Sequence, residues 1–142
     1  MEKLEKRGEY IGTIKLREKE YNIYKIGIVK LRQEHTVYKV GKNFVIRYTH
    51  RIGEMLETYE TVMKINKVER FLNIFRDIFG NKKFTIEEAK KMIEKTHGYE
   101  KHLDTYRGEK RKYEVENILI CIVAMGNGEV EKHGRGWVFK IY

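Results

Sequence analysis

The chain has 142 residues with one cysteine and no proline, and its 30 Lys and Arg against 21 Asp and Glu give a formal net charge of +9. That length suits one domain or two small ones sharing a core. The lone Cys121 excludes an internal disulfide and, inside an apolar run, reads as a small buried hydrophobe. No apolar run approaches the about 20 residues that cross a bilayer. The positive charge favours polyanions, either nucleic acid or an acidic membrane surface.

Residues 9–65 alternate in steps of two and are rich in β-branched and aromatic side chains, the pattern of a half-buried antiparallel sheet. Tyr10, Ile14 and Leu16 share one face of a first strand. A second run covers 21–31, with Gly27 at a bulge or bend. Runs over 35–40 and 44–49 are joined by a turn of Gly41, Lys42 and Asn43. After a turn near Gly53, residues 55–65 read as the last strand, with a helical start near Glu54 as the alternative. The expectation is a meander of four or five strands, forming an N-terminal module over 1–65.

At residue 66 the period changes. Val68, Phe71, Leu72, Phe75, Ile78 and Phe79 recur at helical spacing, Asn66 with Glu69 makes an N-cap signature, and Gly80 stops the helix. "NKKF" allows a short strand before a capping box, Thr85 with Glu88, opens a second helix bearing Ile86, Ala89 and Ile93 and ended by Gly98. Residues 115–125 fit a helix with Gly126 at its C-cap, although eight consecutive apolar residues also fit a buried strand. The chain closes as a hairpin, 129–133 and 137–142, whose tip is Gly134, Arg135 and Gly136. A glycine-bracketed tip turns tightly and holds the arginine clear of its own sheet, either as a solvated turn residue or as a ligand for phosphate or carboxylate.

Helix, short strand, capped helix, third helix and terminal hairpin is the element order of the winged helix-turn-helix superfamily, which residues 66–142 resemble. "VERFLNIFRDIFG" is similar to its first helix, "FTIEEAKKMIEKTHG" to its strand and second helix, and "NILICIVAMGNGEVEKHGRGWVFKIY" to its third helix and wing. Residues 99–112 are longer than the usual turn between the second and third helices, so either the third helix starts early, near Lys110, or a loop is inserted. The fold class expected is therefore α+β, an N-terminal antiparallel β-meander packed on a C-terminal winged helix-turn-helix domain.

The resemblance implies a sequence-specific double-stranded DNA-binding protein, a transcriptional regulator with its third helix in the major groove and its wing on the backbone or minor groove. Carried over to this chain, Lys110, Arg111 and Lys112, with Tyr106 and Arg107 just ahead, would meet phosphates or base edges, and Arg135, supported by Lys132 and His133, would reach from the wing. A homodimer would double the contacts, and the N-terminal module would serve dimerisation or partner binding. Two other readings stand beside this one. The basic sheet, where Tyr24, Tyr38 and Tyr48 interleave with Lys25, Lys39 and Arg47, could stack RNA or single strands. Alternatively, the winged helix is a protein-interaction scaffold.

No enzyme is expected. Serine is absent, no phosphate-cradling glycine loop occurs, and the paired glutamates sit where helix starts favour negative charge. His35, His50, His97, His102 and His133 show no H-x-x-x-H spacing, so no metal and no cofactor are expected. With Met1 to Arg7 charged rather than signal-like, a cytoplasmic location is expected, and the Lys, Glu, Ile and Tyr usage resembles that of a heat-loving microbe or of an AT-rich genome.

Overall fold

The computed structural model describes residues 8–142. Contacts divide the chain into two compact units, Met1–Asn66 and Lys67–Tyr142. The fold is α+β: a five-stranded antiparallel sheet, then three helices and a two-stranded sheet.

The N-terminal unit is a meander of β1 (Glu9–Leu16), β2 (Lys19–Lys30), β3 (Glu34–Val40), β4 (Asn43–Ile52) and β5 (Met55–Lys64), paired in chain order. Alternation puts Val29, Val37, Phe44, Ile46 and Met63 on one buried face, because Val37 lies opposite Ile46 and Phe44 opposite Met63. His35 and Lys39 share that face and are also buried. The β2–β3 register slips between Lys25 and Gly27, so the bend expected at Gly27 is a bulge in which Ile26 is the extra residue.

Two-residue turns close the β3–β4 and β4–β5 hairpins at Gly41–Lys42 and Gly53–Glu54, and in each only the glycine takes a positive φ, 60° and 64°. Glycine first with an ordinary residue second is the type II′ pattern, whose twist matches that of the flanking strands. The β1–β2 turn solves the same problem without glycine: Arg17 and Glu18 sit at φ 48° and 66°. A Cβ makes that conformation costly for both residues.

No loop separates β5 from α1 (Ile65–Phe79). The helix therefore starts one residue before the expected N-cap and places Asn66 inside its first turn. The Ile65 N–H donates to the Lys42 carbonyl at 3.0 Å, so the β3–β4 turn satisfies a helix-start donor that a capping side chain would otherwise take.

The C-terminal unit is built on α1, α2 (Ile86–Lys95), α3 (Glu109–Ala124) and the hairpin β6 (Gly128–His133) with β7 (Gly136–Ile141). Phe84 exchanges backbone hydrogen bonds with Phe139, at 2.9 and 2.7 Å, so the expected short strand survives as a single bridge onto β7. Around it runs an aromatic column: Phe71 to Phe75 at 5.9 Å, Phe75 to Phe84 at 5.7 Å and Phe84 to Phe139 at 6.3 Å between ring centres. Each of these rings is fully buried, and burying a ring of that size stabilises the fold by roughly 1.5–3 kcal/mol.

Helix α2 opens with the capping box expected: Thr85 Oγ1 accepts from the Glu88 N–H, and Glu88 Oε1 accepts from the Thr85 N–H. It ends at Lys95, three residues before Gly98, with Thr96 as C-cap. Residues 118–124 are helical, and the C-cap is Met125, one residue before the Gly126 expected. From Ile118 to Ile122 every side chain of α3 has zero exposure, so this stretch is enclosed on all sides, and Gly128 of β6 lies against Ile122.

Candidate nucleic-acid interface

Residues 99–112 are neither a tight turn nor a free loop. A 3₁₀ turn, Glu100–His102, leads into Leu103, which is buried, and the next residues are held against α3 by one carboxylate. Glu114 accepts from the backbone N–H groups of Asp104, at 2.8 Å, and Thr105, at 3.0 Å, from the Thr105 hydroxyl, and from Lys67 of α1. Burial pushes the Glu114 carboxyl up, but the Asp104 N–H, Lys67 and Thr105 outweigh it and hold the group below its ordinary range.

Helix α3 starts at Glu109, the early start that the sequence allowed, and this decides where the expected contact residues stand. Arg111 is 4% exposed. Its Nη1 lies 2.9 Å from Glu94 Oε2 and 3.0 Å from Glu100 Oε1, while Nε and Nη2 donate to the Thr105 carbonyl. Every arm of the guanidinium is committed inside the protein. The expectation that Arg111 meets phosphate is therefore corrected: it pins the loop before α3 to α2. The signal was in the sequence, since Arg111 falls on the same stripe as Val115, Ile118 and Ile122, at helical spacing, and that stripe faces inward.

Arg107 has one edge in water but is clamped by Glu100 at 3.0 and 3.2 Å. Arg107 and Arg111 together hold the Glu100 carboxyl down at about 2. Lys112 reaches α2, 3.0 Å from Glu87 Oε1, and each lowers the cost of charging the other. Of the "KRK" cluster only Lys110 stands exposed and outside any ion pair among the described residues, and Tyr106, ahead of the helix, is 91% exposed. Tyr113, 64% exposed, and the half-buried Asn117 continue the Lys110 face at i+3 and i+7. Sequence reasoning passed over both, although that spacing was visible.

The hairpin tip behaves as its residues dictate. His133 pairs with Gly136, leaving Gly134 and Arg135 as a two-residue turn in which Gly134 alone has a positive φ, 61°. Lys132, His133 and Arg135 are all exposed. Lys132 lies 6.0 Å above the Trp137 ring, and Lys83 braces β6 through Glu131 at 2.5 Å. Trp137 is half-buried, in line with Phe139 and Ile141 at the core end of the same strand. Helix α3 packs on α2 and on both hairpin strands.

Among the described residues, no group of three or more His, Cys, Asp or Glu is placed to hold a metal ion, and no helix is long and apolar enough to cross a membrane. Compared with protein-family models, with curated proteins and with solved structures, the chain matches none.

Proposed function

We propose that the C-terminal unit binds double-stranded DNA as a winged helix and that the protein acts as a transcriptional regulator. The observation that carries this reading is Arg135, an exposed guanidinium at the tip of a rigid II′ hairpin whose second strand is bridged to the segment before α2. Such a tip can enter a narrow minor groove or grip the adjacent phosphates. Lys132 and His133 flank it, Lys110 and Tyr113 lie on the accessible first turns of α3, and Tyr106 is exposed in the segment just before them. Base reading on this surface falls to Lys110 and Asn117, since lysine suits guanine and asparagine adenine. With Arg111 internal and Lys112 held by Glu87, affinity rests mainly on the wing.

Stacking of RNA on the N-terminal sheet is the weaker reading. Tyr24, Tyr38 and Tyr48 are half-buried and already engaged, Tyr24 by Lys39 at 5.5 Å, Tyr38 by Arg47 at 5.9 Å and Tyr48 by Tyr59 at 5.1 Å.

Fluorescence anisotropy with labelled duplex DNA, single-stranded DNA and RNA tests the proposal. About four phosphate contacts give a log–log salt slope of roughly −3 to −4. Arg135→Ala combined with Lys110→Ala, both at exposed positions, should weaken duplex binding at least about tenfold. Unchanged duplex affinity, or tighter binding to unpaired strands, defeats it.

A further inference from the structure

Strand β5 forms one rim of the five-stranded sheet. Its ladder to β4 runs unbroken from Asn43↔Lys64 to Ile52↔Met55, and every residue of the strand except Met63 is exposed. Exposed edges are usually blunted by bulges, prolines, shortness or charge. The opposite rim, β1, has a bulge between Tyr10 and Gly12 and only eight residues. β5 has ten residues, no bulge and no proline. Its charges are Glu57, Glu60 and Lys64, so this rim does not share the excess of a chain whose net charge is +9. Two copies can meet here without the repulsion expected elsewhere.

We propose that β5 pairs antiparallel with β5 of a second copy, about a two-fold axis through Tyr59, joining two five-stranded sheets into one. The register follows from the side chains. Because successive residues alternate faces, only residues of the same face can oppose one another, which restricts the choice to every second register. With Tyr59 opposite its own counterpart, Leu56 faces the partner's Val62, and these are 62% and 63% exposed in the single chain. Thr58 then faces the partner's Glu60, and Lys64 comes to the turn that carries the partner's Glu54. The neighbouring registers are worse: one sets Glu60 against the partner's Glu60, the other sets Leu56 against it.

The chosen register also extends packing already present. Tyr59 stacks on Tyr48, with ring centres 5.1 Å apart and planes 20° apart, and Tyr48 lies 4.9 Å from His35. Pairing at the axis continues this row of rings from one sheet into the other. The same face and the same aromatic type meet on both sides, as a two-fold interface requires.

A single strand pair is smaller than a standard interface, so association in the micromolar range is expected. Sedimentation of the full chain from about 1 to 100 μM should carry the mass from 17.1 kDa toward twice that value. Val62→Lys should weaken association at least about tenfold while circular dichroism and the thermal midpoint at about 1 μM stay unchanged, since that side chain is largely in water. Tyr59→Lys should weaken association likewise and lower the midpoint slightly, because it also removes the stack on Tyr48. Tyr59→Cys should form a disulfide-linked dimer under mild oxidation, and the fully buried Cys121 leaves the new thiol without a competitor. A mass fixed at that of one chain throughout the range overturns the proposal, as does a dimer indifferent to both lysine substitutions. Neither result depends on whether the protein binds DNA.

Discussion

Arg111→Ala separates a structural arginine from a DNA contact. In the folded protein its guanidinium lies between Glu94 and Glu100 and donates twice to the Thr105 carbonyl, with 4% of the residue exposed. Truncation leaves the Glu94 carboxylate without its nearest cation and the Thr105 carbonyl without its donors. Removing one partner of a buried pair costs about 3–5 kcal/mol. The Glu94 side chain keeps 15% exposure, so some water reaches it, and the lower end, about 3 kcal/mol, applies. At a urea dependence of about 1–3 kcal/mol per molar, the unfolding midpoint of the C-terminal unit should fall by roughly 1–3 M with its slope unchanged. Arg107→Ala, ahead of α3 and with its side chain largely in water, should move the midpoint little. Arg111→Met with Glu94→Gln should recover most of the loss, because replacing both members of a buried pair removes the stranded charge. The reasoning fails if Arg111→Ala leaves the urea midpoint in place while duplex affinity drops, since the arginine would then be serving DNA and not the fold.

Replacing Arg17–Glu18 by Asn-Gly should raise the stability of the N-terminal unit by about 1–2 kcal/mol in urea titration, because both residues occupy the left-handed region that Asn and Gly adopt readily. Thr85→Ala removes the reciprocal cap of α2 and should cost about 1 kcal/mol, read as a lower thermal midpoint. Acid should destabilise in two stages, followed by fluorescence and circular dichroism from pH 8 to 2. Burial depresses His35 below its ordinary 6.5, partly opposed by the carbonyls of Gln33 and Val29, so its neutral form belongs to the fold and stability falls as pH drops below about 6.5. Glu100, held at about 2 by Arg107 and Arg111, contributes fully above its ordinary 4.5 and loses that contribution as pH falls toward 2. His35→Gln should remove the first stage and leave the second.

Local chemistry was readable in the sequence wherever it is complete within a few residues. The Thr85 and Glu88 box needs only its own spacing, and the glycine-first turns at Gly41, Gly53 and Gly134 need only their φ. The start of α1 was misread because the group that satisfies its first N–H, the Lys42 carbonyl, lies 23 residues away in sequence. Arg111 was misread for a related reason. A run of three cations looks like a patch when read as a line, but on a helix the middle one faces a different way from its neighbours, and Glu94, which receives it, belongs to another element. Tyr113 and Asn117 were hidden by the emphasis on charge, since neither adds any. The antiparallel meander was legible from its alternation and from the glycine turns at Gly41 and Gly53, but the strand number stayed at four or five because the β1–β2 turn, Arg17–Glu18, carries no turn-forming residue.

The closed middle of α3 gives the protein an internal clock. Cys121 sits among five consecutive side chains with no exposure, and burial pushes its thiol well above the ordinary range, so a thiol-directed reagent meets neither an accessible sulfur nor a reactive thiolate while the unit is intact. Labelling of this one sulfur therefore waits for the helix to come out of its enclosure, and its rate measures how often the C-terminal unit opens under native conditions.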